Sequence, residues 1–343
     1  MRRSGFTLVE LLVVIGIISV LAGLVIVSLP AFVANSREAA TRTTIKKIDA
    51  MLQDRTAGIH IYFEMSDKRV DGAHGKRLKP PSYILGETRR DAYRDAIIAE
   101  DFKLVATLDI FSMKDFYRRH LPMTFEEADY DWDGVTDVTD SSGNPVVVAN
   151  LSAMGHRPET ESSELLYWFI TNGFQFTAEP VGTGDFSPNE VADTDGDGLL
   201  EFVDAWGQPL RFYRWPTRMV RQPTSGVVSD NVADFTASSI DTAAAELLVG
   251  NLPSIEVLVN DPDDPLHELD GFITPSTFED NLHTYRTWHA PLIMSIGEDG
   301  LNGLYEPYDS ANFGQLAQPL NSTAGFEAIV DNVSNLLLRT GGK

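Results

Sequence analysis

The stretch GFTLVELLVVIGII, residues 5–18, sets one carboxylate, Glu10, inside an otherwise apolar run. From Leu11 to Ala34 there follow 24 residues without a formal charge. Coiled as a helix they span about 36 Å, against roughly 30 Å of bilayer hydrocarbon. A cleaved secretory signal fits poorly, because its apolar region is about 7–15 residues long and ends at a small-x-small site. No Ala-x-Ala follows this run. The segment therefore spans a membrane, or packs as a long helix in an assembly, or does both in turn. Arg2 and Arg3 precede it while Arg37, Arg42, Lys46 and Lys47 follow, so the positive-inside rule does not orient it.

Beyond Pro30 the helical pattern resumes. Ile45, Ile48, Leu52, Ile59 and Phe63 recur at spacings of three, four and seven, with Arg42, Lys46, Asp49 and Asp54 off that stripe. A pattern present on both sides of Pro30 predicts a kink rather than a break. The expectation is one helix over residues 6–66, about 90 Å long, with an apolar half (6–34) and an amphipathic half (35–66). A helix of that length needs a partner surface.

The chain has 343 residues and a net charge of −23. Residues 1–60 carry seven Lys/Arg against four Asp/Glu, so the acidity belongs entirely to the body beyond them. Phosphate binding needs a basic face, and the balance argues against a nucleic-acid partner. There is no cysteine, which removes disulfides, thiol nucleophiles and Cys-based zinc sites.

A carboxylate at membrane depth costs roughly 2.5–3.5 kcal/mol and is usually paired and functional. Residue by residue, GFTLVELLVVIGII resembles the N-terminal signature of type IV prepilins and type II secretion pseudopilins. The resemblance implies a leader of residues 1–5, cut after Gly5 by a prepilin peptidase that then methylates Phe6. It implies that Glu10 pairs with the Phe6 α-amine of a neighbouring subunit during assembly. A poorly solvated ammonium and carboxylate each need the other, and such a pair is better at fixing register than at adding stability. The family setting is a bacterial inner membrane, with a cytoplasmic N-terminus, a periplasmic body and an assembly platform. The implied fold is α/β, of the α+β pilin kind, with the long helix packed on a globular body that holds a small antiparallel sheet.

Within that body, residues 67–343, two stretches share one spacing. DYDWDGVTDVTD places Asp129, Asp131, Asp133, Gly134, Asp137 and Asp140 at positions 1, 3, 5, 6, 9 and 12. DTDGDGLLEFVD places Asp193, Asp195, Asp197, Gly198, Glu201 and Asp204 at the same positions. This is the spacing of an EF-hand-type calcium loop, whose alternate carboxylates wrap one cation while glycine permits the turn. Position 12 is Asp rather than Glu, as in dockerin-like loops, and no helix pair flanks either loop. The expected role of calcium is structural; the plainer reading is a solvated acidic turn.

DAWGQPLRFY, residues 204–213, reads as a turn leading into an aromatic strand. Through Asp204, Trp206, Gly207 and Pro209 it also resembles the D-x-W-G-x-P segment of the major, G-type pseudopilin. SIGEDGLNG, residues 295–303, resembles that family's S-x-G-x-D-G-x-x-G loop, which implies Ser295 and Asp299 as candidates at a third calcium site. Residues 216–285 read as an insertion, with NDPDDPLHELDG (260–271) as surface loop. Residues 67–125 look mainly helical, and AGFEAIVDNVSNLLLR (324–339) reads as a closing helix with Phe326, Ile329, Val330, Val333 and Leu337 on its core face.

No nucleophile elbow, HExxH, Walker loop or G-x-G-x-x-G is present, and His283 and His289, six apart, suit a metal poorly on a helix. The sequence thus points to a non-enzymatic filament subunit, with a type II secretion pseudopilus favoured over a pilus. A membrane-tethered, calcium-dependent adhesion or carbohydrate-binding protein is the first alternative, and a membrane-anchored hydrolase the second.

Overall fold

The computed structural model describes residues 8–65, 101–129, 133–140, 142–173, 181–220, 242–250, 260–271, 282–318 and 322–339, with shorter pieces between 91 and 99 and at 273, 278 and 320. Helix α1 (Leu8–Met65) is continuous for 58 residues through Pro30, close to the expected 6–66. At 1.5 Å per residue it is about 87 Å long.

The two halves of α1 have different surroundings. Ile45, Ile48, Leu52 and Ile59 are 0–1% exposed, so the predicted stripe is a core face. Thr41, Thr44 and Arg55 extend it at the same three-to-four spacing. Asp49, expected off the stripe, is also buried, because Arg339 and Asn335 reach it from the far end of the chain. The apolar side chains of Leu8–Leu24, and those of Leu29, Phe32 and Val33, by contrast, point outward.

α1 rests on a three-stranded antiparallel sheet of order β5 (Arg211–Tyr213), β6 (Leu292–Ser295), β7 (Val333–Ser334). Arg211 pairs with Met294, Tyr213 with Leu292, and Ser295 with Val333. Every residue of β5 and β6 is buried, so both faces of the sheet are covered. The aromatic strand expected within 204–213 is therefore present.

Around this sheet lie α2 (Phe102–His120), α3 (Phe125–Ala128), the hairpin β1 (Val135–Thr139) and β2 (Pro145–Val147), α4 (Leu151–Met154) and α5 (Pro158–Thr171). A second hairpin, β3 (Val191–Ala192) with β4 (Glu201–Phe202), packs on α5. α6 (Thr242–Val249), α7 (Thr323–Val330) and α8 (Asn335–Arg339) complete the body. Of residues 67–125, expected to be mainly helical, α2 covers 102–120, while 67–90 lie outside the described residues.

Two expectations are corrected. The closing helix is split: α7 ends at Val330, Val333–Ser334 joins the sheet, and α8 follows. The strand gives β6 a partner for backbone groups that a continuous helix would leave unpaired. Asn335 reinforces the break by accepting from the Ile293 N–H at 2.9 Å. Phe326 and Val330 consequently face solvent, while Ile329 and Val333 are buried. The second correction is residues 260–271, where Asp261, Asp263, Asp264 and Leu269 are all buried rather than on a surface loop.

Candidate functional site

At the N-terminus, Gly5 and Phe6 lie outside the described residues. Glu10 sits in the first turn of α1, where the unpaired N–H groups of a helix favour a carboxylate. The helix is long and apolar enough to cross a membrane, with none of its most apolar window buried in the body.

In the 193–204 segment, residues 193–200 form the turn joining β3 to β4, and Glu201 already belongs to β4. Asp193 accepts from the Gly196 and Gly198 N–H groups at 2.7 and 3.1 Å, which folds the turn around its own first carboxylate. Gly196 and Gly198 have φ of 85° and 93°, a left-handed backbone that costs a side-chain-bearing residue strain. Asp193, Asp195 and Glu201 bring carboxylate oxygens within 4.8 Å of one another. Asp204, at position 12, is elsewhere: it accepts from the Ser295 hydroxyl at 2.7 Å and from the Trp206 and Gln208 N–H groups. Ser295, a candidate at the third site, is thus committed to tying β6 to this turn.

Helix α5 supplies the opposite wall. Its N-cap, Arg157, has no side-chain cap, and Asp195 provides one from outside. The Asp195 Oδ2 accepts from the Arg157 N–H at 2.9 Å and from the Thr160 hydroxyl at 3.0 Å. Asp197 turns instead to His156, whose Nδ1 lies 3.0 Å from its Oδ2 and 3.4 Å from Glu164 Oε2. Burial pushes Glu201 up to about 8, with Glu164 and Asp195 adding to the shift, and burial likewise raises Glu161 to about 7 and Glu164 upward. Burial disfavours the His156 cation, but the Asp197 hydrogen bond and the close Glu164 carboxylate outweigh it and raise its pKa to about 10. Carboxylates outnumber cations here.

The 129–140 stretch is arranged otherwise. Asp129 accepts from the Asp133 and Gly134 N–H groups at 3.2 and 2.9 Å, so its turn is built. Strand β1 then carries Asp137 outward and leaves Asp140 in the β1–β2 turn, accepting from Ser142 and Asn144. Five extended residues span roughly 16 Å, which separates Asp140 from Asp129 and Asp133. Asp131 lies outside the described residues. At 295–303, the Asp299 carboxylate accepts from the Leu301 N–H, and Asp331 accepts from the Glu298 and Asp299 N–H groups. Asp299 is raised by burial and by the nearby charges of Asp331 and Glu327.

A further cluster was invisible to sequence spacing. The Lys114 Nζ, fully buried on α2, lies 2.9 Å from Asp261 Oδ2, 2.9 Å from Asp263 Oδ2 and 2.7 Å from His283 Nε2. His289 Nε2 stands 3.4 Å from Asp261 and 3.3 Å from Asp263. Burial and the Lys114 charge hold His283 well below the usual histidine range, so its Nε2 accepts from Lys114 while Nδ1 donates to the Thr284 carbonyl. Burial opposes charge on His289, but the two aspartates override it and raise its pKa. Two cations and two anions therefore close to neutrality against Trp215 and Phe278. The partners come from segments about 150 residues apart, and no local motif announces them.

Residues 1–26 match the family model of the prokaryotic N-terminal methylation motif. The chain thus carries a type IV prepilin-like N-terminal signature on a long apolar helix. No curated protein and no solved structure matches the chain significantly.

Proposed function

We propose that this chain is a structural subunit of a type II secretion pseudopilus, or of a related pilus-like filament. A prepilin peptidase removes residues 1–5 and methylates Phe6. The apolar half of α1 holds the precursor in the inner membrane, with the body on the periplasmic side, and later packs against other copies or homologous subunits. The observation that carries this reading is the methylation motif at residues 1–26, continuous with a helix whose apolar side chains are exposed over Leu8–Leu24 and again at Leu29, Phe32 and Val33. Mass spectrometry of the N-terminus from native membranes tests it. A peptide beginning at N-methylated Phe6 is expected; an intact Met1 would reduce the segment to a plain anchor.

Calcium at the 193–204 turn has a structural role in this reading. The fit rests on the mutual approach of the Asp193, Asp195 and Glu201 carboxylates, which repel one another without a cation. An ion present at a hundredfold its Kd stabilises the folded state by about 2.7 kcal/mol. In a body of this size that is roughly 5–10 °C in thermal midpoint. Chelation should remove that increment and added calcium restore it; an identical midpoint in both states would reject the ion.

A further inference from the structure

We infer that His156, Glu164, Asp195 and Asp197 form a second cation site, selective for a first-row divalent ion of the zinc or manganese class. It adjoins the proposed calcium turn, rests on that reading only in sharing Asp195, and draws two ligands from outside the 193–204 sequence. Each residue offers one ligand atom, and these atoms lie within 4.8 Å of one another. Around an ion at about 2.1 Å, tetrahedral ligands stand about 3.4 Å apart. The His156 Nδ1 separations of 3.0 Å to Asp197 and 3.4 Å to Glu164 fit that shell.

The independent observation is Glu164. Its side chain is only 2% exposed, yet beyond the 3.4 Å approach of His156 Nδ1 to Oε2 neither carboxylate oxygen is hydrogen-bonded. A buried carboxylate so poorly satisfied is costly, and natural proteins keep one where it is paired or binds metal. The His156 imidazolium is the only cationic side chain in the group, against three carboxylates. A divalent ion bound to neutral His156 through Nδ1 would satisfy all four.

Donor chemistry separates this site from its neighbour. Asp193, Asp195 and Glu201 offer oxygen alone, which suits calcium, whereas an imidazole nitrogen suits first-row transition metals. The ligands are held before any ion arrives. Gly155, with φ of 94°, ends α4 and turns the chain so that His156 stands beside the start of α5. Glu164 projects from the second turn of α5, Arg157 and Thr160 fix Asp195, and the Leu199 N–H at 2.8 Å fixes Asp197.

The test uses the full-length protein in detergent, stripped with chelator and then exposed to zinc, manganese and calcium separately. Retained metal is counted after gel filtration, and the thermal midpoint is followed in parallel. The expected result is one equivalent of zinc or manganese with a raised midpoint. Glu164→Gln and His156→Gln should each weaken that binding at least tenfold while calcium binding persists. Asp193→Asn should do the reverse. Loss of calcium binding alone would fell the calcium turn and leave this site standing. Transition-metal retention that is absent, or unchanged in both the Glu164 and His156 variants, would overturn it; should one variant fail to fold, the other decides.

Discussion

Replacing Lys114 by methionine should lower the thermal midpoint of the body by roughly 10 °C. Methionine fills much of the same volume, so the loss is electrostatic rather than a cavity. Among the described residues it leaves Asp261 and Asp263 buried with His289 as the cationic neighbour that remains. Removing one partner of a buried ion network costs about 3–5 kcal/mol, because the remaining charge has no water to return to. At about 2–4 °C per kcal/mol in a domain of this size, the shift is large enough to read by calorimetry. Lys114→Arg should not rescue it, since a guanidinium is wider than the socket that three acceptors form around one Nζ. A midpoint within 2–3 °C of wild type would mean that the network contributes no net stability.

The same cluster makes a pH prediction. His283 is held neutral in the fold, so its contribution is complete above the unfolded histidine pKa of about 6.5 and declines as pH falls. His289 has the opposite sign: its raised pKa gives stability that is complete below about 6.5 and declines as pH rises through the folded value. Asp261 and Asp263 sit well below the usual carboxylate range, because Lys114 and His289 outweigh their burial, so their share is lost only on acidification below about pH 4. The cluster's contribution should therefore peak near pH 6.5. Midpoints measured from pH 4 to 9 should show a shallower alkaline decline in His289→Gln than in wild type. Parallel alkaline limbs would remove His289 from the account.

The second large effect concerns Glu10. On the proposed assembly, Glu10→Ala should reach the membrane as efficiently as wild type yet fall at least tenfold in filament incorporation. Insertion survives because the substitution removes a charge that disfavours the hydrocarbon by roughly 2.5–3.5 kcal/mol. Incorporation fails because the Phe6 ammonium of the neighbour then lacks its counter-charge and the helices lose the contact that sets their stagger. Fractionated membranes and sheared filaments, compared by immunoblot, give both quantities. Equal incorporation of the variant would end the pairing role.

What the sequence disclosed follows from range. The 58-residue helix was readable because its periodicity is local: Ile45, Ile48, Leu52 and Ile59 repeat at three and four whatever they touch. The 193–204 turn was half readable. Its first carboxylates answer to spacing, but Asp204 answers to Ser295, 91 residues away, and Glu164 enters from another helix. Lys114 and Asp261 could not be paired in advance, because nothing within either segment records the other. The closing helix was misread for a related reason: β6 needed an edge partner at Val333–Ser334, and that demand overrode a sound helical pattern.

The seam between α1 and the body also has a mechanical meaning. Four side chains on the inner half of the helix are fastened to four different segments. Thr41 accepts from the Ala205 N–H, Lys47 holds Glu190, Asp49 grips Arg339, and Arg55 donates to the Ile170 carbonyl. These fasteners lie within 15 residues of α1, and the outermost two stand about 21 Å apart along its axis. A pull applied to the apolar end, as when a subunit is drawn out of a bilayer, runs parallel to that seam. It loads all four fasteners in shear at once instead of peeling them one after another. The tension then passes through Arg339 and Asn335 into strands β6 and β7, the most deeply buried part of the sheet. On the proposed assembly, such a subunit would yield by slipping as a block, and the helix would serve as a tether that can be tugged without unzipping the body.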